Sequence, residues 1–139
     1  MNILFDASAL FKRYSGEAGV VRVLQLQATA SEMTAAVHCK TEVASALTRQ
    51  WKEGAFSDSE YARMLADIHA DFHELGVMPL SSQAERYAIA AMRLNNLRGM
   101  DALYIGTAQA ASVDLFVTAD KRQAAAANAV GLKTELIEV

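Results

Sequence analysis

The stretch Met1-Asn2-Ile3-Leu4-Phe5-Asp6-Ala7-Ser8-Ala9-Leu10 decides the fold. An unbroken apolar run, Ile3-Leu4-Phe5, ends on the carboxylate of Asp6, and apolar residues resume at Ala9, Leu10 and Phe11 after the hydroxyl of Ser8. A short apolar run without polar alternation is the pattern of a strand covered on both faces, and such strands belong to parallel sheets. Ligands of open parallel sheets bind just beyond the carboxyl ends of the strands. Asp6 stands at such a position.

Outward from this strand, apolar runs alternate with helical periodicities. Residues 8–14 predict a short helix broken by Gly16, and residues 18–27 a second helix that packs on the sheet. Residues 33–37 read as a strand and 38–53 as a helix stopped by Gly54. Ser57 with Glu60 matches a capping box, opening a helix that runs to about Leu75. Residues 77–80 give a third strand, placed at a sheet edge because Pro79 has no N–H to donate. Ser81 or Ser82 caps the next helix. Asp101 is expected to open a helix, 102–111, that is apolar almost all round and hence buried. Residues 114–117 predict a fourth strand leading into Thr118-Ala119-Asp120, followed by an alanine-rich helix, 121–129, and a fifth strand, 133–137. Strands alternating with helices predict an α/β fold. The expected form is a parallel five-stranded sheet with helices on both faces; if its order is 3-2-1-4-5, the first and fourth strands are adjacent at its middle.

A chain of 139 residues, 53% hydrophobic and 21% charged, is expected to form one domain over residues 1–139 without a disulfide or structural metal. One proline leaves no stretch that reads as a linker. The single cysteine, Cys39, excludes an intrachain disulfide and a cysteine-based zinc site, and is expected to fill core space. A net charge of −3 argues against a protein that coats nucleic acid by bulk positive charge, but leaves room for a basic rim around an acidic centre. The apolar runs are too short to span a bilayer, and no basic leader precedes the first strand, so a soluble cytoplasmic protein with no membrane partner is expected.

Four acids carry the chemical argument. Asp6 follows the first strand, Asp120 the fourth, Asp101 opens the buried helix and Glu42 lies in the first turns of the helix after the second strand. Singly, each aspartate reads as an ordinary helix cap, worth roughly 1 kcal/mol, and Glu42 as a solvated helix surface. With the sheet order 3-2-1-4-5 all four would converge on one edge. Carboxylates gathered there raise one another's pKa unless a cation neutralises them, and an all-oxygen donor set favours Mg²⁺ or Mn²⁺. Such an ion activates water and offsets charge on a phosphoryl oxygen, which suits hydrolysis of a phosphodiester. The hydroxyls of Ser8 and Thr118 are expected to orient the carboxylates or metal-bound waters, or to shape local turns.

On these residues the sequence resembles the PIN-domain nucleases, and among them the VapC-type toxins of type II toxin–antitoxin systems. The matching stretches are LFDASALFKRY, CKTEVASAL around Glu42, LRGMDALYIGTAQ around Asp101 and LFVTADKRQAAAANAVGL around Asp120. The resemblance implies a three-layer α/β/α sandwich with a parallel sheet, and a Mg²⁺- or Mn²⁺-dependent endoribonuclease, often a homodimer, held inactive by a cognate antitoxin. It carries the metal-binding and catalytic roles to Asp6, Glu42, Asp101 and Asp120, and the supporting hydroxyls to Ser8 and Thr118. The implied mechanism is in-line attack of activated water on an RNA phosphodiester, with Glu42 as a further ligand or general base and products carrying a 5′-phosphate and a 3′-hydroxyl. Two departures stand out: Tyr104 where family members often carry histidine, and Gly106 inside the apolar helix.

Other signals are weighed beside this reading. Arg13, Arg98 and Arg122, with Lys12 and Lys121, are placed near the acids, where they grip an RNA backbone or serve as ordinary surface charge. His69 and His73 share a helix face at i, i+4, amid acids on a solvated surface. The competing functions are a Mg²⁺-dependent phosphatase using Asp6 as nucleophile, which would want a second aspartate where Ser8 stands, and a PIN-like RNA-binding or scaffold module without catalysis.

Overall fold

The computed structural model describes residues 1–138. Strand β1 (Asn2–Phe5) buries Ile3, Leu4 and Phe5 almost completely. Each such side chain contributes roughly 1.5–3 kcal/mol of apolar burial. β1 pairs in parallel with β2 (Glu32–Ala36) on one side and β4 (Leu115–Thr118) on the other, with Leu4 opposite Thr34 and Phe116. β3 (Gly76–Met78) and β5 (Thr134–Leu136) complete a five-stranded parallel sheet of order β3-β2-β1-β4-β5, with helices on both faces. The expected fold class and strand order are those found. Among the described residues, no helix is long and apolar enough to cross a membrane.

The helices are α1 (Ala7–Leu10), α2 (Lys12–Ser15), α3 (Val20–Thr29), α4 (Cys39–Lys52), α5 (Asp58–Glu74), α6 (Ser82–Leu94), α7 (Gly99–Ala110) and α8 (Lys121–Ala129). Several differ from the sequence expectation for local reasons. The helix expected over 8–14 is two short helices joined at Phe11, where Tyr14 N–H turns back to Phe11 C=O. Lys12, on the second of them, is buried and spends its ammonium on Ala18 C=O at 2.9 Å, so it fastens a turn. α3 starts at Val20 instead of residue 18 because Gly19 holds φ +96° against Ile137, where a Cβ would come within 2.6 Å of Cγ2. β3 ends at Met78, so the donorless Pro79 lies just past the edge strand.

The capping box at Ser57 is complete, with Ser57 Oγ accepting from Glu60 N–H and Glu60 returning to Ser57 N–H. Ser81 caps α6. Gly106 in α7 is a contact point: a Cβ there would lie 2.2 Å from Ala84 C=O and 2.9 Å from Ala88 N of α6. The glycine that interrupts the apolar helix thus lets two backbones touch. Cys39 is fully buried, as expected, and burial pushes its thiol up to about 12.

Candidate active site

Asp6 ends β1 and caps α1. Its backbone N–H still belongs to the sheet, donating to Val117 C=O at 3.0 Å, while its carboxylate turns into the first helix. Oδ1 accepts from Ser8 Oγ at 2.7 Å and Ala9 N–H at 3.0 Å, and Oδ2 accepts from Thr118 Oγ1 at 2.5 Å. The same two hydroxyls reach the loop after β4: Ser8 Oγ accepts from Ala119 N–H at 2.9 Å and Thr118 Oγ1 from Asp120 N–H at 3.0 Å. Each hydroxyl therefore donates to Asp6 and accepts from the backbone beside Asp120, clasping the ends of the two central strands. Asp6 is only 3% exposed. Burial raises its pKa to about 6 against the opposing pull of these hydrogen bonds, and the nearby Asp101 charge raises it further.

Asp101 does not open its helix. α7 begins two residues earlier at Gly99, capped at Arg98, and Asp101 sits inside the first turn with no capping bond of its own. A carboxylate there is favoured by the helix dipole and left free for other partners. Partial burial raises its pKa first, then the charges of Asp120 and Glu42, while Arg98 and His38 oppose the rise. Asp120 caps α8, with Oδ1 accepting from Arg122 N–H at 2.8 Å and Gln123 N–H at 3.3 Å. Glu42, in the first turn of α4, accepts a 2.5 Å hydrogen bond from the Tyr104 hydroxyl on Oε1. Burial, followed by the adjacent Cys39, the bond to Glu42 and the charges of Glu42 and Asp6, drives the Tyr104 phenol far above its ordinary range.

Two open grooves meet at Asp101 and Arg98. One, of about 620 Å³, includes Glu42, Met100 and Ile89 in its wall, and the other, of about 470 Å³, includes Asp120, Lys121 and Arg122. Arg98 and Arg122 therefore border the acids. Arg13 is engaged elsewhere, held by Asp71 of α5 at 3.0 Å and Gln27 of α3 at 3.1 Å. His69 and His73 are exposed beside Lys40 in a separate small cleft.

Two contributors escaped the sequence reading. Tyr104 was visible only as a departure from a family pattern. Gln123, fully buried, donates from Nε2 to Asp101 C=O at 2.8 Å while its backbone N–H faces Asp120, linking α7 and α8 beneath both acids. A lone amide three residues past Asp120 in an alanine-rich helix was its only signal.

The donor set is entirely oxygen, from four carboxylates coupled by charge and two hydroxyls, which fits a hard divalent cation. Among the described residues, no three His, Cys, Asp or Glu side chains already close around a common metal position. The acids form a shared rim with one buried anchor, Asp6, and three more accessible members.

The PIN domain family matches residues 3–129. The chain belongs to that family. Solved structures share its fold: a toxin–antitoxin complex from Klebsiella pneumoniae (TM-score 0.65, 16% identity, covering 87% of this chain and 88% of that one) is one. Others are VapC20 of Mycobacterium tuberculosis, described as a sarcin–ricin loop cleaving toxin (TM-score 0.68, 15% identity, covering 94% and 95%), and VapBC2 from Rickettsia felis bound to promoter DNA (TM-score 0.70, 12% identity, covering 99% and 100%). No curated protein sequence matches the chain.

Proposed function

We propose that the chain is a divalent-cation-dependent endoribonuclease, the toxin of a toxin–antitoxin pair. What supports this reading is that Asp101 lines two adjoining grooves, with Glu42 in the wall of one and Asp120 in the wall of the other, while Thr118 Oγ1 joins Asp6 to the backbone of Asp120, in a PIN-family chain. The toxin assignment draws on fold neighbours whose descriptions include toxin–antitoxin complexes, and it extends to a cognate antitoxin, a homodimer and a cytoplasmic setting.

Asp6, Asp101, Asp120 and Glu42 would hold Mg²⁺ or Mn²⁺, whose Lewis acidity activates water and offsets phosphoryl charge. The protein supplies orientation. Ser8 and Thr118 fix both oxygens of Asp6, Gln123 ties Asp101 to the Asp120 helix, and Arg98 and Arg122 offer positive charge to phosphates entering the grooves. The phosphatase reading fits less well. The second aspartate it would want is replaced by Ser8, whose hydroxyl is already spent on Asp6 and on Ala119 N–H.

The test is cleavage of a mixed RNA by purified protein in Mg²⁺ or Mn²⁺, with EDTA and Asp101→Asn as controls. The reading expects cuts that both controls abolish while the variant keeps its fold. RNA left intact in either metal, or a variant as active as wild type, would overturn it.

A further inference from the structure

We propose that Tyr104 is a positioning residue for the acidic centre: its buried hydroxyl fixes one oxygen of Glu42 so that the other is held for the divalent cation. The inference rests on the nuclease reading above. Glu42 is the one acid of the four on a long, flexible side chain, and it is 38% exposed. Left alone, such a side chain samples many rotamers, and ordering it around an ion costs that rotamer freedom. Tyr104 removes that freedom beforehand. Its ring is 1% exposed, wedged in the core by α7, so its hydroxyl is a fixed donor.

The hydroxyl meets Glu42 Oε1 at 2.5 Å, across 62 residues of sequence. The His38 ring lies against the Tyr104 ring, with centroids 4.2 Å apart. His38 Nε2 is bonded to Met100 C=O at 2.9 Å and stands 3.9 Å from the same Glu42 oxygen. Oε1 thus has its neighbours on the protein side, and Oε2 has no hydrogen bond among the described contacts. Tyr104 also lies three residues beyond Asp101, hence on the same face of α7. One helix therefore carries an acid of the centre and the tether that sets a second acid from α4 against it. Partners of this kind, one bond removed from a cation, change affinity or activity by about tenfold to a hundredfold when lost.

Tyr104→Phe keeps the ring and deletes the tether. Mn²⁺ binding to metal-free wild type, Tyr104→Phe, Glu42→Ala and the double variant, followed by titration calorimetry with thermal unfolding alongside, separates positioning from simple packing. The inference expects Mn²⁺ affinity to fall about tenfold or more in Tyr104→Phe, with no further fall when the change is added to Glu42→Ala. Equal affinity in wild type and Tyr104→Phe would overturn it, as would a loss that adds fully to that of Glu42→Ala. Wild type that binds Mn²⁺ with this pattern yet cuts no RNA would support the positioning role and overturn the nuclease reading. Wild type that binds no Mn²⁺ would overturn both.

Discussion

Asp6→Asn is expected to stabilise the protein at neutral pH while abolishing RNA cleavage, and the size of the gain follows from its burial. Below pH 3.8 the carboxyl is protonated whether the chain is folded or not. Between 3.8 and about 6 the folded protein keeps a proton that the unfolded chain releases, so stability falls as pH rises through that window. Above it the whole cost remains. At roughly 1.4 kcal/mol per tenfold change in proton affinity, this displacement amounts to about 3 kcal/mol. Asparagine avoids that cost and keeps the geometry. Its oxygen takes the bonds from Ser8 and Ala9, and its amide donates to Thr118 Oγ1, which still accepts from Asp120 N–H and turns its own proton to Ser8 Oγ, 3.3 Å away. Asparagine also caps helices as well as aspartate does. Urea unfolding of both proteins from pH 3.5 to 8, without divalent ions, measures the difference directly. The variant should gain on wild type by about 3 kcal/mol between the ends of that range. A gap that stays constant with pH, or that widens in favour of wild type, would refute the reasoning.

Gly106→Ala should destabilise by about 3 kcal/mol or more, because the added methyl meets the α6 backbone and not a movable side chain; an unchanged urea midpoint would contradict this. Thr118→Val removes both the donor to Asp6 and the acceptor for Asp120 N–H, so it should cost about 1–3 kcal/mol. It should also raise the Asp6 pKa further, moving the acid limb of the pH–rate profile upward, and a limb that stays in place would argue against the clasp.

The sheet was legible because its strands are continuous apolar runs, and a run such as Ile3-Leu4-Phe5 has no half-exposed alternative. Of the order β3-β2-β1-β4-β5, only the edge place of β3 had a residue behind it, Pro79; the rest was a supposition that the sheet bears out. Helix starts were less legible. Arg98-Gly99-Met100 looks like a link, yet Gly99 and Met100 are already helical, which shifts Asp101 from cap to first turn. That shift matters, since a cap spends its carboxylate on the backbone and Asp101 does not. Among the basic residues, sequence position alone did not separate Arg98 and Arg122, which border the acids, from Arg13, which Asp71 claims. The contacts from Tyr104 to Glu42 and from Gln123 to Asp101 span 62 and 22 residues and depend on how α7 packs. No local pattern encodes them.

The central claim is that four carboxylates from four elements make one cation site. Its most direct measurement is the electron paramagnetic resonance of free Mn²⁺ titrated against wild type and against Asp6→Asn, Glu42→Gln, Asp101→Asn and Asp120→Asn. Saturable binding by wild type that weakens in every one of the four variants is the predicted result. Binding that is absent in wild type, or that all four substitutions leave untouched, would contradict the claim.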